Sequence, residues 1–225
     1  MTSGLSDGAP AAPSGRSESR SPLVAVAVTW LAGMVLFALI KGQSRVPAGY
    51  LTRDPQTTTE EAWYLGLASS LGAVGWAVAA AVMGFGAILA RTWAAPRSSV
   101  RLLAAGSMIT TVLLLDDILL IHDDILFRAL GSERPTLVAY GIAFIAWLLA
   151  ARSRFDRRAT GPLLATLAGF TGSLAVDQVW HSDSDWRLVV EDGAKFVGIW
   201  SWAVFSVVFT LDQLKSEPET PRWNP

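Results

Sequence analysis

The run Asp116-Asp117-Ile118-Leu119-Leu120-Ile121-His122-Asp123-Asp124 sets four carboxylates and one of the chain's two imidazoles within leucine and isoleucine. Two further polar groups interrupt apolar sequence, Asp177-Gln178-Val179-Trp180-His181 and Glu191-Asp192-Gly193-Ala194-Lys195. A charge at the centre of a membrane span costs roughly 2.5–3.5 kcal/mol, so such groups face the protein interior or a cavity and mark a site by default. Carboxylates alone suit magnesium, calcium or manganese, and adding imidazole suits zinc or iron. The expected centre takes Asp117, Asp177 and His181 as leading ligands, with His122 completing the set if its side chain turns inward. Asp116 is then the general base or supports a ligand from behind, and Lys195 balances charge or steadies an oxyanion. Asp123, Asp124, Glu191 and Asp192 guide cations in from outside. A divalent ion there, with zinc, manganese, iron and calcium all open, would lower the pKa of a bound water to about 7 and polarise a carbonyl or phosphoryl group.

Two other readings compete. In a purely structural one, Lys195 neutralises one aspartate across the bundle and the remaining acids and His181 are wet in the headgroups. That leaves Asp116, Asp117 and Asp177 against one lysine, so a proton or a cation has to share the site. In the other, the buried acids form a proton or cation pathway. A chain this small then acts as a homodimer or as one component of a transport assembly. The DD-x4-HDD spacing differs from the i, i+4 aspartates of prenyl-diphosphate enzymes, and the chain has neither His-x3-His nor HExxH.

The elements that carry these residues are membrane spans. Apolar residues make up 52% of the 225 and charged residues 16%, against about 25% charge in a soluble domain. Mean hydropathy is +0.39. A net charge of −1 disfavours nucleic acid, and the absence of cysteine excludes disulfides, thiolate metal sites and thiol catalysis. A span needs about 20 apolar residues. Six candidates follow: 23–40, 63–89, 102–121 (running on towards 127), 136–151, 162–180 with Pro162 at the helix start, and 191–211. The expected fold is an all-α polytopic bundle of six transmembrane helices over 23–212. Residues 1–22 and 213–225 are flexible cytoplasmic tails.

Topology gathers the polar groups. Eleven Lys and Arg fall on the side of the tails, including Arg91, Arg97, Arg101, Arg152, Arg154, Arg157 and Arg158, against seven on the other. By the positive-inside rule both termini are cytoplasmic, in a bacterial plasma membrane. The third and fifth spans then run outward and the sixth inward. Asp116, Asp117, Asp177 and Lys195 come to one level near the outer leaflet, about 6–8 Å below the surface at 1.5 Å per residue. On a continuous helix Asp116, Asp117, Asp123 and Asp124 share an arc of about 120°, with His122 opposite unless the helix bends or unwinds. Asp177 with His181, and Glu191 with Lys195, are i, i+4 pairs. Trp63, Trp93, Trp180 and Trp186 fall at span ends, as in an aromatic belt. The pairs Gly84/Gly86 and Gly169/Gly172 allow close helix contact.

Asp116-Asp117-x4-His122-Asp123 resembles the D-[DE]-x4-H-[DE] helix of a group of small bacterial polytopic membrane proteins. Glu191-Asp192-Gly193-Ala194-Lys195-Phe196-Val197-Gly198 resembles their later E-[DE]-x2-[KE]-x2-G helix. The likeness covers the last four spans. Aspartate stands here at 117, 123 and 192, where that group usually has glutamate. It implies a membrane protein and no particular activity. A looser likeness is to alkaline ceramidases and related membrane metal hydrolases, which hold zinc among helices and cleave lipid amides. Their pattern needs three histidines and seven spans. The combined expectation is a metal-dependent hydrolase of a lipid or small amphipathic substrate, with cation- or proton-coupled transport, or a non-catalytic role in a membrane complex, as the alternatives.

Overall fold

A computed structural model describes residues 66–132, 134–180 and 185–215, with parts of 30–47 and 59–64; the side chains at 122–124, 129–130 and 185 are outside it. The chain divides into two units, Met1–Leu65 and Gly66–Pro225. In the first, residues 30, 31, 34, 35 and 37–42 are helical, within the first expected span. Gln43 ties off that helix: its Nε2 donates to the carbonyl of Ile40 at 3.2 Å, and its Oε1 accepts from the Arg45 and Val46 N–H groups. The rest of that span, residues 1–22 and residues 216–225 lie outside the described residues; residues 213–215, expected to begin a flexible tail, are helical, with Gln213 buried.

The second unit is all helix among the described residues. Its elements are α1 (Leu67–Thr92), α2 (Arg97–Leu119), a π-helical turn (Ile121–Leu126), α3 (Phe127–Leu130), α4 (Arg134–Ala151), α5 (Arg157–Val179) and α6 (Asp185–Lys215). Five of them, α1, α2, α4, α5 and α6, are long and apolar enough to cross a bilayer. The first expected span is only partly described, so six spans were expected and five are described. Pro162 does not start its helix. The start is set by Asp156, whose carboxylate accepts the Arg157 N–H at 2.6 Å, and Pro162 lies inside α5. An aspartate cap satisfies an orphan donor that proline leaves alone.

Spans consecutive in the chain alternate in direction, and α1 and α6, which also pack together, run parallel. Asp116 meets Tyr140 and Leu102 meets Trp147, so α2 and α4 are antiparallel. Thr110 meets Trp202 and Asp117 meets Lys195, so α2 and α6 are too. Small residues set the spacing. A Cβ on Gly169 would lie 2.6 Å from the Gly198 nitrogen, and one on Gly84 would lie 2.9 Å from Ser107 Oγ. Gly86 leaves room for the Thr210 methyl. The expected glycine contacts are therefore real. In lipid, helices associate through such close packing and through polar contacts. Here Ser107 Oγ donates to the Ala80 carbonyl at 2.8 Å and Trp147 Nε1 to the Leu102 carbonyl at 2.9 Å.

This alternation sorts the ends. The last turns of α2 and α5 and the first turns of α1, α4 and α6 lie at one end, called here the acidic end. The basic end holds Arg91, Arg97, Arg101, Arg152, Arg154, Arg157, Arg158 and Lys215. Asp117, Asp177 and Lys195 each lie twenty residues from a basic residue at that end, Arg97, Arg157 and Lys215 respectively. Twenty helical residues span about 30 Å, which is about the thickness of the hydrocarbon core. Asp117 and Lys195 meet at one level, near the far edge of the apolar layer; Asp177 lies about two turns nearer the acidic end, beside Arg187, because Gly169 packs against Ala194 and Gly198.

Candidate cation site at the acidic end

The two adjacent aspartates of α2 face different helices, because successive residues turn by about 100°. Asp116 is turned towards α4 and only 5% exposed. Its Oδ1 accepts from the Tyr140 hydroxyl at 3.0 Å. Asp117 is turned towards α6, where Lys195 Nζ donates to its Oδ1 at 2.7 Å. The carboxylate is the buried member, at 12% side-chain exposure, and the ammonium reaches it from a 45% exposed position. Asp117 Oδ2 makes no hydrogen bond or ion pair among the described residues.

A second cluster joins α5 to the start of α6. Arg187 donates to Asp177 Oδ1 at 2.8 Å and lies 3.1 Å from Glu191 Oε2. Gln178 Nε2 donates to the other Asp177 oxygen at 3.0 Å. Arg187 is one helical turn before Glu191, so a single guanidinium serves a carboxylate on its own helix and one on its neighbour.

The backbone between α2 and α3 is broken. Leu120 caps α2 in the left-handed region (φ 51°, ψ 42°), with its N–H on the Asp116 carbonyl. Ile121–Leu126, which contains His122, Asp123 and Asp124, then winds as a π-helix. The expected common face for the four aspartates of this segment presumed one continuous α-helix, and the helix changes type at Leu120. The expected Asp177–His181 pair likewise presumed an α-helix running through 181. Helix α5 ends at Val179, and Trp180 has extended rather than helical geometry (φ −99°, ψ 89°). His181 lies outside the described residues, as do the side chains of His122, Asp123 and Asp124. Among the described residues no three carboxylates or imidazoles gather closely enough to hold one metal ion.

Lys195 and Glu191 are not each other's partners, since each is drawn to a residue nearer at hand. Asp192 is exposed. The sequence reading missed Arg187, counting it only towards the charge bias, and missed Tyr140. The four-residue spacing from Arg187 to Glu191 was a signal for the first. For Tyr140 the signal was a phenol hydroxyl six residues into an apolar helix. At this end four described carboxylates, Asp116, Asp117, Asp177 and Glu191, face two cations, Arg187 and Lys195.

Residues 23–209 match the family model described as "Domain of unknown function (DUF8692)", and the chain belongs to that family. No curated protein and no solved structure matches the chain.

Proposed function

We propose that this member of the DUF8692 family is a membrane protein that binds an exchangeable cation, a proton or a small metal ion, at Asp117, with Lys195 as the counter-ion that holds the place when the cation is absent. The observation that carries this reading is the 2.7 Å contact between a buried carboxylate on α2 and a half-exposed ammonium on α6. A buried carboxylate needs a positive partner. A lysine ammonium is a point charge on a flexible stem, so it can leave and return. When a proton or metal ion reaches Asp117, the carboxylate loses its need for Lys195. The released ammonium finds Asp192 and Glu191 three and four residues back on its own helix, one turn nearer the end. Binding thereby moves a contact between α2 and α6, which suits a cation- or proton-coupled transport component. Asp116, held by Tyr140, would set the field beside the exchange group.

The test is reconstitution of wild type, Asp117→Asn and Lys195→Gln in sealed vesicles, with internal pH and cation content followed after an external proton, alkali or divalent cation jump. Wild type is expected to respond to one of these. Asp117→Asn should lose the response, and Lys195→Gln should shift its concentration dependence. Equal traces for all three chains and for empty vesicles would overturn the reading.

One observation favours a second reading. π-helical turns concentrate at functional sites, and His122, Asp123 and Asp124 lie on one. In that reading Asp117, Asp177, His122 and His181 are ligands of a resident divalent metal, and the chain hydrolyses a lipid or other amphipathic substrate. Elemental analysis of purified wild type, Asp117→Asn and His181→Ala discriminates: near-stoichiometric metal, lost in both variants, supports the hydrolase.

A further inference from the structure

A groove lies at the other half of the bundle, between α5 and α6. It has a volume of about 420 Å³ and apolar walls. Gly161, Pro162 and Ala165 form one wall, and Val197, Trp200 and Val204 belong to the other. A Cβ on Gly161 would meet nothing within 4 Å, so the groove is open there. Along α5 the wall residues continue the stripe that starts at Arg158, since 158, 161, 162 and 165 are spaced i, i+3, i+4 and i+7. Arg158 is thus one turn from the groove on the same face, at the end of α5 that faces water.

Charge at that mouth is uncompensated. Arg157 and Arg158 are both exposed, and neither guanidinium has a hydrogen bond or ion pair among the described residues. The adjacent carboxylate, Asp156, is occupied in capping α5. The dipole of the helix start adds positive potential. An open apolar groove that ends near two exposed arginines without a partner among the described residues matches an amphipathic anion in both its parts.

We propose that the α5–α6 groove holds an acyl chain of an anionic glycerophospholipid whose phosphate rests on Arg157 and Arg158. The site is separate from the acidic end and does not depend on cation exchange there.

The experiment is native mass spectrometry of the detergent-solubilised full chain, titrated with phosphatidylglycerol or phosphatidylcholine of identical acyl chains. Wild type is expected to retain phosphatidylglycerol preferentially. The Arg157→Gln/Arg158→Gln chain should lose that preference by on the order of tenfold or more. Gly161→Leu, which fills the groove without a clash, should weaken retention of both lipids. Arg91→Gln/Arg101→Gln removes two arginines of the other loop at the same end and should leave the preference unchanged. Equal retention of the two lipids by wild type overturns the proposal. So does a loss in Arg91→Gln/Arg101→Gln as large as in the 157/158 variant, which would mean general surface charge. Unaltered binding in Gly161→Leu does the same, because the chain would then lie elsewhere.

Discussion

At the basic half of the bundle Trp147, Trp202, Phe205 and Phe209 pack ring on ring at 4% exposure or less, whereas at the acidic end the helices meet through charges that are up to 45% exposed. Trp147 touches Trp202, Phe205 and Phe209 with ring centroids 5.4–6.1 Å apart. Both indole N–H groups of this cluster are used, Trp147 on the Leu102 carbonyl and Trp202 on Thr110 Oγ1. Such a cluster has one good arrangement, because moving any ring opens a void or strands a donor. The acidic end differs in kind. Lys195 has carboxylates within reach on two helices, and Asp117 retains an oxygen without a protein partner among the described residues. Packing fixes one half, and exchangeable pairing leaves the other able to respond.

The sharpest way to break the contrast is in the aromatic half. Trp202→Ala removes a buried ring, and should cost ~3–5 kcal/mol in a detergent unfolding titration. A cost below ~1 kcal/mol would mean that the rings are not what holds that half. Next in size is Gly169→Val. Its Cβ would collide with backbone atoms of Gly198 and Ala194 rather than with a movable side chain, so α5 and α6 must separate. A loss of ~1–3 kcal/mol is expected from overpacking.

At the acidic end, Lys195→Met should destabilise by leaving Asp117 without its cation. Combining it with Asp117→Asn should restore much of the loss, with a coupling of ~0.5–3 kcal/mol in the double-mutant cycle. Purely additive effects would show that the pair does not hold α2 to α6. Smallest is Leu120→Gly. Left-handed geometry costs a non-glycine residue ~1–2 kcal/mol, and glycine's extra backbone entropy takes back ~0.5–1 kcal/mol. A net gain of ~0.5–1 kcal/mol in unfolding, together with an altered cation response, would mark Leu120 as strain held for the site.

Much of the fold could be read before any coordinates. Long apolar runs separated by arginine-rich loops dictate membrane helices, because a backbone in hydrocarbon has to bond to itself. The expected starts at Thr136 and Trp63 fall within four residues of the observed ones, Arg134 and Leu67. Helix α6 starts six residues before the expected Glu191. Its first turns carry Asp185, Arg187 and Glu191 and so do not score as apolar. The candidate site was legible as one end of the bundle but not as a set of pairs. Asp116, Asp117, Asp177 and Lys195 were expected together at one level; Asp117 does meet Lys195, whereas Asp177 lies about two turns nearer the end, beside Arg187.

The one-dimensional pattern determined the membrane class, the helices, the separation of basic from acidic ends and the unusual acids within apolar sequence. Those features depend on composition and on distance along a helix, which a sequence contains. Only the tertiary structure decided which carboxylate meets which partner. Asp116 faces Tyr140 and Asp117 faces Lys195 because adjacent positions on a helix point about 100° apart, towards different neighbours. Arg187 joins Asp177 to Glu191 because α5 and α6 pack antiparallel at the contact of Gly169 with Gly198. The break at Leu120 is likewise tertiary, since nothing in the local run of leucine and isoleucine favours a left-handed residue. Partner choice depends on rotation about helix axes and on the spacing of neighbouring helices, which contacts distant in sequence set.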